Sequence, residues 1–67
     1  MLQHYRIYLL DRNFRICVAH DVLCPDEEAA CEAAAELSND QWWELWQGRE
    51  CVRRGKGTHH APEESLH

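Results

Sequence analysis

Residues 24–37 have the sequence CPDEEAACEAAAEL, and this stretch decides the fold class. Proline suits the first position of a helix, and acidic residues in the first turn favour the positive end of the helix dipole. The segment therefore predicts a helix that begins near Pro25 and ends at about Leu37, with Asn39 as a left-handed cap. One side carries an apolar stripe with Cys31 beside it, made of Ala30, Ala33, Ala34 and Leu37. Such a stripe of small residues favours close packing of the helix on a sheet.

Two strands are predicted before this helix. Residues 4–10 alternate with a period of two and are rich in strand-forming residues. Residues 15–23 are also apolar and β-branched, and we expect Ile16, Val18 and His20 to share one face of this strand. Residues 11–14 lie between the two segments and predict a turn in which Asn13 adopts a positive φ. The pattern indicates an antiparallel hairpin.

Two further strands are predicted after the helix. In residues 41–47, alternation places Trp43 and Leu45 on one face and Trp42, Glu44 and Trp46 on the other. Gly48 permits a tight turn, and residues 50–54 return as a short fourth strand. The order ββαββ predicts a small α+β domain, an antiparallel sheet with the alanine-faced helix on one side. The domain is expected to span residues 1–55, followed by a mobile polar tail, 56–67, with a histidine pair at positions 59 and 60.

Three short motifs occur in the order of these elements: Tyr5-Arg6-Ile7-Tyr8-Leu9-Leu10-Asp11, Pro25-Asp26-Glu27-Glu28-Ala29-Ala30 and Glu44-Leu45-Trp46-Gln47-Gly48. They resemble the tyrosine-rich strand, alanine-rich helix and Glu-x-Trp-x-Gly hairpin of short bacterial proteins that have no assigned function. The resemblance covers residues 4–54 and implies the same ββαββ order. It brings no catalytic residues with it, and it departs from the pattern at Asn13-Phe14, where glycine is usual.

The charge distribution limits which classes of partner the chain is expected to bind. The net charge is −5, every charged residue from Asp21 to Glu44 is acidic, and the basic segment from Arg49 to Lys56 is short. A nucleic-acid-binding protein normally carries a dominant basic surface, so we expect no nucleic-acid partner. No apolar stretch approaches the roughly 20 residues of a membrane span, and no secretory signal is visible, so a cytoplasmic location without a membrane partner is expected.

The four cysteines are Cys17, Cys24, Cys31 and Cys51, with six, six and nineteen residues between successive members. Structural zinc sites usually draw ligands from closely spaced pairs, so this spacing favours small buried hydrophobes in a reducing compartment. Cys24 at the start of the predicted helix is a candidate nucleophile, but the acidic residues of that turn oppose thiolate formation. We expect no metal, no cofactor and no enzymatic activity. A metal- or redox-responsive thiol protein is the alternative.

The candidate site is the aromatic and basic C-terminal hairpin. Interface hot spots favour Trp, Tyr and Arg, and the residues of this kind are Tyr8, Trp42, Trp46, Arg49, Arg53 and Arg54. They predict contact with a protein partner or with a second copy in a homodimer, which would also help a chain this small to reach adequate stability. The alternative is that the tryptophans fill the core or lie under the tail.

Overall fold

The computed structural model describes residues 1–57. The elements follow the order β1 (Gln3–Leu10), β2 (Ile16–Cys24), α1 (Glu27–Ser38), β3 (Trp42–Gln47) and β4 (Glu50–Lys56). The strands form one four-stranded antiparallel sheet in the order β2-β1-β3-β4. The prediction of a ββαββ α+β domain is therefore confirmed. Since β2 and β3 both run antiparallel to β1, they are parallel to each other, and α1 connects them across β1.

The turn between β1 and β2 is organised by Asp11. Its carboxylate accepts hydrogen bonds from the backbone N–H groups of Asn13, at 2.8 Å, and Arg15, at 3.0 Å. This arrangement places the positive φ, 62°, at Phe14 and not at Asn13 as predicted. Cys17 is an extra residue in the β1–β2 pairing, because Leu9 pairs with Val18 and Leu10 with Ile16. The resulting bulge puts Ile16 on the face opposite Val18, so the expectation that they share a face is wrong.

Helix α1 begins at Glu27, later in the chain than the predicted start near Pro25, because Asp26 is its N-cap. The Asp26 carboxylate accepts a hydrogen bond from the Ala29 N–H at 2.9 Å, which satisfies a donor that the first turn leaves unpaired. Pro25 therefore precedes the cap and does not occupy the first helical position. At the other end Asn39 is the C-cap with φ 60° and ψ −111°. Its φ is positive as expected, but ψ lies outside the left-handed helical region, so the prediction of a left-handed cap is right only in the sign of φ.

The buried side of α1 differs slightly from the predicted stripe. It consists of Ala30, Ala34, Ala35 and Ser38, while Leu37 is 42% exposed. The spacing 30, 34, 38 follows one row of the helix surface, and Leu37 lies one residue off that row. The Ser38 hydroxyl is satisfied because it donates to the Ala35 carbonyl at 3.0 Å. Small side chains along this row allow the helix backbone to approach the sheet closely.

The core lies between α1 and one face of the sheet. Its members on the strands alternate in sequence as predicted and are all buried, namely Tyr5, Ile7, Leu9, Trp43 and Leu45, with Cys24 at the end of β2. Ala30 and Ala34 cover them from the helix. Burial of an apolar side chain contributes about 1.5–3 kcal/mol, so each of these residues contributes substantially to the stability of the domain.

Trp43 ties the last strand to the core. Its indole Nε1 donates to the Gly57 carbonyl at 3.2 Å, and a Cβ added at Gly55 would lie 2.5 Å from the indole ring. Because the glycine leaves this space, β4 pairs with β3 as far as Lys56, beyond the predicted end at Arg54. Gly57 is buried. The rest of the predicted tail, residues 58–67 with His59 and His60, lies outside the described residues.

Residues 1–57 contain no helix with the length and apolar character needed to cross a membrane.

Candidate functional site

The candidate site is the face of the sheet opposite α1, which we call the open face. Strand pairing places side chains from all four strands on it, because residues directly opposite each other in a sheet share a face. Its members are His4, Arg6, Tyr8, Leu10, Ile16, Ala19, Asp21, Leu23, Trp42, Glu44, Trp46, Cys51, Arg54 and Lys56. Within residues 1–57, the single helix covers the other face and no second layer covers this one.

Two aromatic contacts organise the open face. The rings of Tyr8 and Trp46 meet edge to face, with centroids 6.0 Å apart and planes at 85°. Phe14, from the turn after β1, packs against Trp42 with ring centroids 5.7 Å apart. Leu10 pairs with Trp42 across the strands and is buried although it lies outside the helix-side core. The open face thus has a small apolar cluster of its own.

Polar groups hold these rings in place. Trp46 Nε1 donates to a Glu44 carboxylate oxygen at 3.0 Å, and the other oxygen lies 3.6 Å from an Arg54 guanidinium nitrogen. Lys56 Nζ lies 5.7 Å from the centroid of the Trp42 ring, within the range of a cation–π contact. Both tryptophan rings are therefore held in defined orientations by neighbouring polar groups.

An ion-paired group lies on the β1–β2 side of the open face. Asp21 accepts a hydrogen bond from Arg6 Nε at 2.9 Å, and its carboxylate is also 2.9 Å from His4 Nε2. The hydrogen bond from Arg6, followed by that from His4, lowers the pKa of Asp21. The same hydrogen bond raises the pKa of Arg6. Both groups therefore remain charged at neutral pH.

The structure separates the residues predicted as a site. It brings Tyr8, Trp42, Trp46 and Arg54 together on the open face. Arg53 lies on the α1 side, where its Nε donates to a Glu27 carboxylate oxygen at 2.8 Å. That hydrogen bond raises the pKa of Arg53.

Arg49 is exposed in the turn between β3 and β4. The sequence interpretation did not include Arg6, Phe14 or Lys56 in the site. Alternation along β1 could have identified Arg6, because it shares a face with Tyr8. The position of Phe14 depends on the turn that Asp11 sets, and no periodicity predicts it.

The four cysteines are free and lie in different parts of the fold. Cys17 is exposed on β2, Cys51 is half-buried on β4, and Cys24 ends β2 within the core. The expectation that Cys24 begins the helix is therefore wrong, since strand pairing with Gln3 retains it in β2. In the part of the chain that the structure describes, no three His, Cys, Asp or Glu side chains are grouped so as to hold a metal ion.

A groove of about 560 Å³ separates α1 from β4. Cys31 and Trp43 form part of its lining, with Glu28, Glu32, Arg53 and Arg54 around them. Burial raises the pKa of the Cys31 thiol, while the nearby Arg53 opposes the shift. The thiol is therefore protonated at neutral pH, which disfavours its use as a nucleophile.

No protein-family model matches the chain, and its comparison with curated proteins and with solved structures finds no match either. The resemblance to short bacterial proteins therefore stays a prediction from the sequence.

Proposed function

We propose that this is a non-enzymatic protein whose open face binds another protein. The observation that carries the proposal is the aromatic cluster of Tyr8, Trp42 and Trp46 on a sheet face that has no second layer within residues 1–57. Domains are generally built from layers that bury apolar faces against each other, and an aromatic face without a covering layer is typical of an interaction surface.

The charges around the cluster suggest the chemistry of the partner. Arg6, Arg54 and Lys56 lie on the same face as the aromatic rings. Asp21 pairs with Arg6 and Glu44 with Arg54, so within residues 1–57 Lys56 is the cation of the three without a carboxylate partner. The acidic residues of α1 and its N-cap lie on the opposite side of the sheet. A partner that presents apolar side chains and a carboxylate near Lys56 would fit the open face, and complementary charge there would speed its association.

The residue types on the open face support a small number of strong contacts. Tryptophan, tyrosine and arginine are the residues most often found at interface hot spots. Trp42 is 38% exposed, so a partner can remove a large aromatic area from water without unfolding the domain. The contacts that already orient Trp46 make it suited to the centre of an interface.

The proposal includes a cytoplasmic location. All four cysteines are free, and one of them, Cys17, is exposed. Thiols persist in this form in reducing compartments, whereas secreted proteins usually pair them as disulfides.

Site-specific photo-crosslinking in the source cells tests the proposal. A photoreactive phenylalanine replaces Trp42 on the open face or, as the matched control, Glu36 on the exposed side of α1. We expect a discrete cross-linked protein from position 42 and none from position 36. Equal products at both positions, or none at position 42, would contradict the proposal.

Trp46→Ala sharpens the test once that partner is purified. Removal of a hot-spot tryptophan costs about 2 kcal/mol or more of binding free energy, which is about a 30-fold weaker affinity. We expect a smaller loss in the free energy of unfolding, because Trp46 lies outside the helix-side core. Calorimetric titration gives the first quantity and urea denaturation the second. Equal losses in both would place Trp46 in the folding core and not in an interface.

A further inference from the structure

Strand β4 forms one edge of the sheet, and within residues 1–57 no strand pairs with its outer side. The groove between α1 and β4 borders this edge at residues 53–55. A sheet edge with unpaired backbone N–H and C=O groups can accept an extended segment of another chain, and pockets beside the edge then select its alternate side chains. The edge and the groove together have the geometry of a site for an added strand.

The groove side of this edge has two carboxylates available for a partner. Glu28 and Glu32 are about one helical turn apart and line the groove, and none of the ion pairs in residues 1–57 involves either of them. Arg53 also lines the groove, but its guanidinium is already paired with Glu27 at 2.8 Å. Gly55, the next residue of β4 on this side, contributes no side chain and no charge. A cationic side chain that enters the groove opposite Gly55 would therefore complement the two glutamates.

The other side of the same edge is basic. Arg54 and Lys56 flank Gly55 in the strand and lie on the open face. The Arg54 side chain is 69% exposed with Glu44 3.6 Å away, and Lys56 has no carboxylate partner within residues 1–57. Opposite charges directly across a strand pair stabilise it. An added strand would therefore complement this side with acidic residues opposite Arg54 and Lys56.

We propose that the outer edge of β4 binds an extended segment of another protein in which a lysine or arginine lies between two acidic residues. Because side chains alternate along a strand, such a triplet opposite residues 54–56 places its cation in the groove and both carboxylates on the open-face side. The charges of β4 disfavour an apolar strand and so make the edge selective. No acidic–basic–acidic triplet occurs in the chain itself, which argues for a different protein as the occupant. This inference does not require the aromatic cluster to bind a partner.

Titration of the isotope-labelled full chain with a synthetic peptide, followed through its amide chemical shifts, tests the proposal. The probe is the end-blocked peptide TVEKEVT, whose sequence reads the same in both directions and so fits a parallel or an antiparallel pair. The control peptide TEVKVET has the same composition, but alternation places all its charges on one face. We expect saturable shifts in residues 50–56 with the probe. The control should bind about fivefold more weakly or worse, because it cannot match both sides of the edge at once.

Substitution of the groove glutamates shows which side receives the lysine. The double variant Glu28→Gln, Glu32→Gln should weaken binding of TVEKEVT by about fivefold or more, because the cation loses both of its carboxylates. Glu36→Gln is the matched control on the same helix but outside the groove lining, and it should change the affinity by less than about twofold. All three positions are exposed, so the variants should fold. No saturable shifts at millimolar peptide, equal binding of the two peptides, an unaffected double variant, or shifts centred on β2 would overturn the proposal.

Discussion

Trp42 and Trp43 are neighbours in the chain but lie in two different environments. Trp43 is 3% exposed in the core under α1 and donates a hydrogen bond to Gly57. Trp42 is 38% exposed on the open face, where it contacts Phe14 and Lys56. The comparison indicates that one face of the sheet holds the fold together and that the other is available for contact. Alternation along one strand therefore separates a buried tryptophan from an exposed one.

Replacement of each tryptophan tests directly whether the two faces differ in their contribution to stability, and the largest effect is expected at Trp43. Trp43→Ala should lower the free energy of unfolding by about 3–5 kcal/mol, because it removes a buried aromatic side chain and leaves a cavity. Trp42→Ala should lower it by about 1 kcal/mol or less, as for other partly exposed side chains. Urea denaturation followed by circular dichroism measures both values. Similar losses for the two variants would show that the open face also supports the fold.

A smaller loss of unfolding free energy is expected from a substitution at Gly55, where β4 contacts the Trp43 ring. Gly55→Ala should cost about 1–3 kcal/mol, because the added methyl group overlaps the indole ring and forces it to move. In a Trp43→Phe background the cost should fall, since phenylalanine is shorter and lacks the ring atoms that the methyl group meets. A double-mutant cycle in urea measures this coupling. Equal costs in both backgrounds would mean that Gly55 acts through its backbone and not through the indole.

The smallest effect on the free energy of unfolding is expected from Asp21, which is ion-paired with Arg6 on the open face. The pKa of Asp21 in the folded protein is below its ordinary value of 3.8. Its ionised form therefore stabilises the fold above that value, and this contribution is lost as pH falls through the lowered pKa.

Asp21→Asn should remove only this part of the pH dependence. Unfolding free energies of both proteins, measured in urea from neutral pH to below 3.8, isolate the contribution as the difference between the two curves. We expect the difference to be smaller than the effect of Gly55→Ala, because the pair is exposed and water screens it. A larger difference would show that the open face also stabilises the fold, contrary to the distinction drawn between it and the core.

Much of the fold is predictable because its signals are local. Strand alternation grouped Trp43 with Leu45 on one face of the third strand, which is the buried face, and the acidic first turn identified the helix. Predictions failed where two local options compete. At the helix start, Pro25 could occupy the first helical position or Asp26 could be the N-cap. The structure has Asp26 as the N-cap, where its carboxylate accepts a hydrogen bond from the Ala29 N–H. At the first turn the Asp11 carboxylate, and not the preference of Asn13, sets which residue adopts a positive φ.

The candidate site is predictable only in part. Its residue types, Trp42, Trp46 and Arg54, were identified from the interface preference for tryptophan and arginine. Their separation from Arg53 follows alternation along β4, but the salt bridge of Arg53 with Glu27 depends on where α1 crosses the sheet. Local patterns contain no information about that crossing.

The sequence by itself determined the class of fold, the order of its elements and the alternation of faces along β1 and β3, because these depend on periodicity and on neighbours in the chain. Only the tertiary structure decided the strand order β2-β1-β3-β4, and with it which strands are edges and which residues form the open face. Strand order depends on long-range pairing, as between Tyr8 and Glu44, and on how the α1 connection crosses β1. Such contacts join residues far apart in the chain, so their energies appear only when the whole core is packed.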